Sequence, residues 1–333
     1  MNHRFTRIIV ALLLVSMLAV AGCAAEEPAG ETEPATEAEP AAEPGALTIG
    51  TLATQDSLPL WVAQEKGYFT DAGITEFEIV TFQSAQELQA AFTAGSVDAL
   101  MTDIMVAANL HASGTEVVIP TIMLGAETDQ GRFAIVAAPG QEVASIEDLA
   151  GVPVGTASLT ITEYVLDTLM AEAGVAADQV VKQEVDKMPV RFELLMSGQL
   201  KAASLPEPFV SLAVLQGATV VPGGDDTLAE ENISQSVLCV NREWAETAEG
   251  EATVAAALEA WDLAVADINA DPDSFRQTLV DQARLPQPLA TSYAVSTYPT
   301  AEPPSAEMIQ AVLDWMETKG YLTADVAPED LLP

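Results

Sequence analysis

A chain of 333 residues, 49% of them apolar, is long enough for about two domains and apolar enough to bury their cores, so global disorder is excluded. Twelve Lys+Arg against 50 Asp+Glu give a formal net charge of −38, which removes the basic face that DNA, RNA or an anionic lipid surface requires. Two Cys can build neither a disulfide framework nor a four-thiolate metal site.

The chain opens on an address. His3, Arg4 and Arg7 precede an apolar run over 8–22, and its 15 residues fall short of the roughly 20 that a membrane span needs. A charged start, a short apolar middle and small residues at the end make 1–22 a secretory signal. The closing Val20-Ala21-Gly22-Cys23 resembles the lipobox of bacterial lipoproteins, with Val20 where Leu is commoner. That resemblance implies lipidation of Cys23 as the first mature residue. The competing reading is an uncleaved signal anchor, which the length and flanks disfavour.

Residues 23–46 follow as an acidic tether. Seven Glu, four Pro and no Lys or Arg lie in 24–46, so nothing there forms a core and like charges extend the chain. A calcium-binding tail is the alternative, but no calcium-loop spacing is present. Residues 47–333 retain 43 acids and ten bases, a charge of −33 that favours solubility outside the cell.

Apolar runs at 47–52, 77–82, 97–101, 117–123, 133–137, 152–155, 180–185, 202–205, 218–221 and 237–240 read as strands. Helical stretches between most of them predict parallel α/β sheets. After Asn241 the texture becomes helical, broken at Asp271-Pro272, at Pro286 and Pro288, and at Pro303-Pro304. Ser57 before Leu58-Pro59, the capping box Ser84-Ala85-Gln86-Glu87 and the box Thr160-Ile161-Thr162-Glu163 each open a helix at the carboxyl end of a predicted strand. Ser145 and Ser305 open further helices. Ligands of open α/β sheets bind at that strand edge, where helix N-termini present free N–H groups. Any one such start, taken alone, is an ordinary cap.

PLWVAQEKGYFTDAGI (59–74), AAFTAGSVDALMTD (90–103), SIEDLAGVPVGT (145–156) and MPVRFELLMSGQLKAASLPEPFVSLA (188–213) stand in one order. Together they resemble the solute-binding proteins of ABC importers, in the nitrate/sulfonate/taurine group and its relatives for thiamine pyrimidine precursors. The resemblance implies an α/β type II periplasmic-binding-protein fold: two α/β lobes, a two-strand hinge and a helical C-terminal segment packed on lobe one. Lobe one is expected at 47–131 plus 237–333 and lobe two at 132–236, with crossings at 132–137 and 236–240. Cys239 then sits in a hinge strand as a buried free thiol.

By resemblance and by position at strand ends, lobe one offers Asp56, Ser57, Leu58, Trp61, Gln83, Ser84, Thr102 and Asp103 to a ligand, and lobe two offers Thr156, Ser158, Thr160, Arg191 and Glu207. Hydroxyls and amides give directional bonds in a cleft. Trp61 is either a stacking platform or core, and core is the commoner fate of a Trp one turn into an apolar helix. Asp103 is either a contact or a helix cap. Arg191 could clamp an anion, or form a structural ion pair; for Arg132 the structural role is the stronger reading. Asp56, Asp103 and Glu207 would repel an anion, which keeps a neutral or cationic ligand open.

The functional expectation is a binding lipoprotein, outside the cytoplasmic membrane, that closes on a small polar molecule and delivers it to an ABC permease and its ATPase. It is expected to be a monomer held to the membrane by its lipid alone, with no nucleic-acid partner, no metal and no cofactor. The alternatives are a ligand sensor for a membrane receptor and an enzyme on the same fold. Against catalysis, His111 is the single His left after the signal, and no GxSxG elbow or metal-ligand cluster is present.

Overall fold

The structure is a computed structural model that describes residues 42–229 and 232–333. The expected signal, Cys23 and most of the acidic tether lie outside the described residues. Among the described residues ten strands form: β1 (Leu47–Leu52), β2 (Phe77–Phe82), β3 (Ala99–Asp103), β4 (Val117–Leu124), β5 (Phe133–Ala137), β6 (Val154–Thr156), β7 (Lys182–Glu184), β8 (Ala202–Pro206), β9 (Thr219–Asp225) and β10 (Ser236–Asn241). Helices α1 (Leu58–Lys66), α2 (Tyr68–Asp71), α3 (Ala85–Thr93), α4 (Ile104–Ala112), α5 (Ile161–Glu172), α6 (Met188–Met196) and α7 (Phe209–Leu215) connect them. The chain then runs through α8 (Arg242–Ala245), α9 (Ala248–Ala270), α10 (Arg276–Gln282), α11 (Leu289–Ser292) and α12 (Ala306–Lys319).

The strands build two sheets, ordered β2-β1-β3-β10-β4 and β7-β6-β8-β5-β9. In each sheet three strands run parallel, β1 with β2 and β3, and β6 with β7 and β8. The fourth position is antiparallel, and its strand enters from the other lobe: β10 pairs with β3 and β4, β5 with β8 and β9. Central strands such as β8 are buried along their whole length. Continuous apolar runs suit that place, since helices cover both faces of a parallel sheet.

Each predicted strand is present, with small shifts at the ends. Val97 and Asp98 fall outside β3 because Asp98 Oδ2 accepts the Thr48 N–H at 2.8 Å and its own N–H donates to Thr48 O, which makes the turn into the sheet. The crossings begin one segment earlier than expected. Phe133–Ala137 and Ser236–Asn241 are already paired inside their sheets, so the chain changes lobe over 125–132 and again between Asp225 and Ser236.

These two crossings lock onto each other. Gly125 sits at φ +82°, and a Cβ there would meet Ser234 O at 2.0 Å, so only glycine allows the close approach. Asn232 Nδ2 donates to Gly125 O at 2.5 Å. Arg132 pairs with Asp225 Oδ2 at 2.5 Å, and the Phe133 N–H donates to Asp226 Oδ1 at 2.8 Å. Cys239 is a free thiol fully buried in β10, and burial pushes its pKa up.

The C-terminal helices cover lobe one and also reach lobe two. Ala256, Ala257, Ala260 and Ala264 of α9 are buried beside Trp261, whose Nε1 donates to Pro299 O at 3.1 Å. From α12 onward the expectation of packing on lobe one alone is incomplete. Trp315 Nε1 and Lys319 reach Asp167 of α5 at 3.1 and 2.6 Å, and the Tyr321 hydroxyl donates to Glu163 at 2.7 Å. Lys182 completes this buried cluster on both carboxylates, at 2.6 and 2.8 Å. No helix among the described residues is long and apolar enough to cross a membrane.

Asp226 gives the hinge a pH signature. Burial, with smaller opposing effects from Ser234 and the Phe133 N–H, pushes its carboxyl up to about 7. A folded pKa above the unfolded value means stability that is present in acid and lost as pH rises through about 7. Wild type should therefore lose on the order of 3 kcal/mol of unfolding free energy between pH 4 and 8 from this group. Urea unfolding of Asp226→Asn across that range should give a flatter profile; a profile parallel to wild type would contradict the assignment.

Candidate functional site

The carboxyl ends of both sheets face one cavity of roughly 790 Å³, mouth included, which is within the common range for small-molecule sites. Lobe one contributes Leu52, Thr54, Gln55 and Asp56 after β1, Gln83, Ser84, Ala85 and Leu88 after β2, and Met101, Thr102 and Asp103 at the end of β3. Lobe two contributes Ala157, Thr160, Ile161, Thr162, Asp186, Met188, Arg191, Pro206 and Glu207. Leu124, Arg132, Phe133, Ser234 and Ser236 line it from the hinge.

The lobes are closed on each other. Asp103 Oδ1 caps α4 by accepting the Val106 N–H at 2.9 Å, and its Oδ2 accepts the Ile161 N–H of lobe two at 3.0 Å. The Met188 N–H donates to Gln83 O at 3.0 Å, and the Gln55 N–H to Glu207 O at 3.2 Å. Lys187 and Glu87 pair across the rim at 2.7 Å. Burial pushes Asp103 up to about 6, against the three backbone N–H groups that favour its charged form.

Helix starts shape the walls. Half of the box expected at Ser84 forms: its Oγ accepts the Glu87 N–H at 3.2 Å, while the Glu87 carboxylate accepts the N–H of Gln83, not of Ser84, at 3.3 Å. The box expected at Thr160 does not. Thr160 Oγ1 donates to Ala157 O at 2.7 Å, and Glu163 accepts from Leu159 N–H at 2.8 Å instead. Leu159 turns through φ +57°, which moves the chain so that Asp103, from the other lobe, takes the first free N–H of α5.

The polar wall groups differ in how they are held. Gln55 is fixed by two tyrosines of the C-terminal segment: Tyr293 donates to its Oε1 at 2.6 Å and Tyr298 to its backbone O at 2.7 Å. Asp56 Oδ2 accepts the Ser236 hydroxyl at 2.6 Å, while Oδ1 is buried without a hydrogen-bond partner. Burial raises the Asp56 pKa, with hydroxyls of Ser236 and Thr54 opposing. Glu207 accepts from Ser211 N–H and Oγ at 3.1 and 3.0 Å and stands 3.5 Å from Arg132; burial raises it.

Arg191 is 1% exposed, and its guanidinium is tied to the protein itself. Nε donates to Val185 O at 3.0 Å, and Nη1 to Ser204 O and Thr162 Oγ1 at 3.0 and 3.2 Å. Burial lowers its pKa to about 10, with Glu184 and Asp186 opposing.

Of the residues expected at the site, Asp56, Gln83, Ser84, Thr102, Asp103, Thr160, Arg191 and Glu207 line the cavity. Ser57, Leu58, Trp61, Thr156 and Ser158 do not. Ser57 Oγ is turned inward to Thr51 Oγ1 and Leu52 O, at 2.6 and 2.8 Å. Leu58 and Trp61 belong to the core under α1 with Trp261. Thr156 is fully buried on Thr162, and Ser158 is bonded to Glu184. Asp103 is both of its alternatives, cap and cavity wall. The wall residues that motifs did not indicate, Leu124, Phe133, Ser234, Ser236, Asp186 and Met188 among them, reach the cavity through the crossings and the interlobe contact.

Arg191→Met keeps the volume and strands two carbonyls. It should lower the unfolding free energy by about 3 kcal/mol in urea, and Arg191→Lys should not restore it, since one ammonium cannot span the fork. Wild-type stability in either variant would contradict the structural role.

The profile of the NMT1-like family matches residues 40–277. A comparison with curated protein sequences returns no match. Among solved structures, the periplasmic aliphatic sulphonate binding protein SsuA of Escherichia coli aligns at TM-score 0.72 and 20% identity, over 87% of this chain and 98% of that one. The alkanesulfonate-binding SsuA of Xanthomonas axonopodis pv. citri, bound to MOPS, gives the same TM-score of 0.72 and identity of 20%, again over 87% and 98%. The periplasmic nitrate-binding protein NrtA of Synechocystis PCC 6803 aligns at TM-score 0.68 and 14% identity, over 85% of this chain and 84% of that one. With its two α/β lobes, two crossings and interlobe cavity, the chain has the type II periplasmic-binding-protein fold and belongs to the NMT1-like family.

Proposed function

We propose that this protein is the solute-binding lipoprotein of an ABC importer. Exported by its signal and held outside the cytoplasmic membrane through Cys23, it captures a small polar molecule between its lobes and presents it to a permease and ATPase. The observation that carries the reading is the cavity itself: both lobes wall it, and the bonds that close it, Asp103 to Ile161 and Gln83 to Met188, lie at its edge.

The mechanism is hinge closure. Helices and strands of each lobe move as bodies about the 125–132 and 225–236 crossings, and a solute that touches both lobes favours the closed form by its differential affinity. The sulfonate and nitrate binders that share the fold make capture the supported role. No catalytic step is assigned, and His111, on α4, does not line the cavity.

Two outcomes are expected. A filtrate of small molecules from the producing culture should raise the unfolding midpoint of the purified protein; a solute at 100 times its Kd stabilises by about 2.7 kcal/mol. An unchanged midpoint would contradict solute capture. In a bacterial host fed labelled palmitate, the wild-type chain should carry label and remain with membranes, and Cys23→Ala should lose both. Label on Cys23→Ala, or none on wild type, would contradict the anchor.

A further inference from the structure

From the charge and donor inventory of the cavity, and resting on the solute-capture reading, we infer that the solute is a small organic cation, an ammonium or amidinium, whose N–H donates to Asp56 Oδ1, and that oxyanions are rejected. The first observation is an acceptor without a donor. Asp56 lines the cavity; its Oδ2 is satisfied by Ser236 at 2.6 Å, but its Oδ1 is buried without a hydrogen-bond partner. A buried carboxylate oxygen in that state calls for an N–H or O–H from whatever fills the cavity.

The second observation is independent of the first. An oxyanion needs free donors, and the N–H groups at the helix starts around the cavity are already occupied by the protein's own side chains. Asp103 takes the Val106 N–H at the start of α4 and the Ile161 N–H at the start of α5. At α3 the Glu87 N–H goes to Ser84 and the Gln83 N–H to Glu87. The N–H groups of Ser158 and Leu159, ahead of α5, go to Glu184 and Glu163.

The guanidiniums are engaged in part, with Nη2 of Arg191 making no hydrogen bond to the described residues. Arg132 gives Nε and Nη2 to Asp225 and Nη1 to Glu207; Arg191 gives Nε and Nη1 to carbonyls and Thr162, with Glu184 and Asp186 beside it. Among the described residues no lysine lines the cavity, and four carboxylates face two guanidiniums there. A cation entering this space meets a matching field and completes Asp56; an oxyanion meets four carboxylates before it can reach Arg191 Nη2.

Thermal unfolding and calorimetry of the full chain test this with sodium and chloride salts at matched ionic strength. The probes are butylammonium, acetamidinium, choline, butanesulfonate and nitrate. Butylammonium or acetamidinium should raise the wild-type midpoint, while choline, which has charge but no N–H, and the two anions should not. In Asp56→Asn, with its own midpoint checked without probe, affinity for the active cation should fall at least tenfold. Stabilisation by butanesulfonate or nitrate, or equal affinity in Asp56→Asn, would overturn the inference. A response to the culture filtrate with none to either N–H cation would overturn the inference and leave solute capture standing. No response to filtrate or to any probe would overturn both.

Discussion

One buried carboxylate bridges the two lobes, beside the contacts of Met188 with Gln83 and of Gln55 with Glu207. Asp103 ends β3, caps α4 through Val106 and reaches across the cleft to the first free N–H of α5. A single buried side chain therefore ties a helix start in each lobe to the cavity wall. Its burial raises its pKa, so the closed form holds this charge at a cost that its N–H partners offset. Opening would expose Asp103 to water and release the α5 donor, and a solute can shift that equilibrium only by its differential affinity for the two forms.

The acidity of the chain takes on structure around this point. Rather than forming an even negative surface, the buried acids each find donors: Glu207 at Ser211, Asp226 at Phe133, and Glu163 and Asp167 in the cluster with Lys182, Lys319 and Tyr321. That cluster joins the C-terminal segment to α5, so lobe two is gripped in three places: by two crossings and by the tail of lobe one. Asp56, Asp167 and Asp226 each keep one buried oxygen without a partner, and of these three Asp56 belongs to the cavity wall.

Much of the fold was legible in the sequence because its strands are short apolar runs with glycine, proline or capping residues at their ends. Gln83, Ser84, Thr102 and Asp103 were legible for the same reason, since the residue that ends a parallel strand and starts a helix faces the sheet edge. Ser57, Leu58 and Trp61 obey that rule only in sequence: the short helical turn at Gln55–Ser57 puts Gln55 and Asp56 at the edge and sends the next residues into the core. Thr160 was read as a reciprocal cap, yet its first N–H partner, Asp103, is 58 residues away in sequence. Ser234, Ser236, Phe133 and Asp186 carry no local motif, because only the crossings and the closed lobes bring them to the cavity.

Amide hydrogen exchange at Ile161, with and without the stabilising solute, tests the central claim most directly, because that N–H bridges the lobes to Asp103. The account predicts that solute slows exchange at Ile161 in wild type and leaves it fast in Asp103→Ala, while the middle of α5 stays protected in both. Equal exchange at Ile161 with and without solute, or protection that survives Asp103→Ala, would contradict closure through this carboxylate.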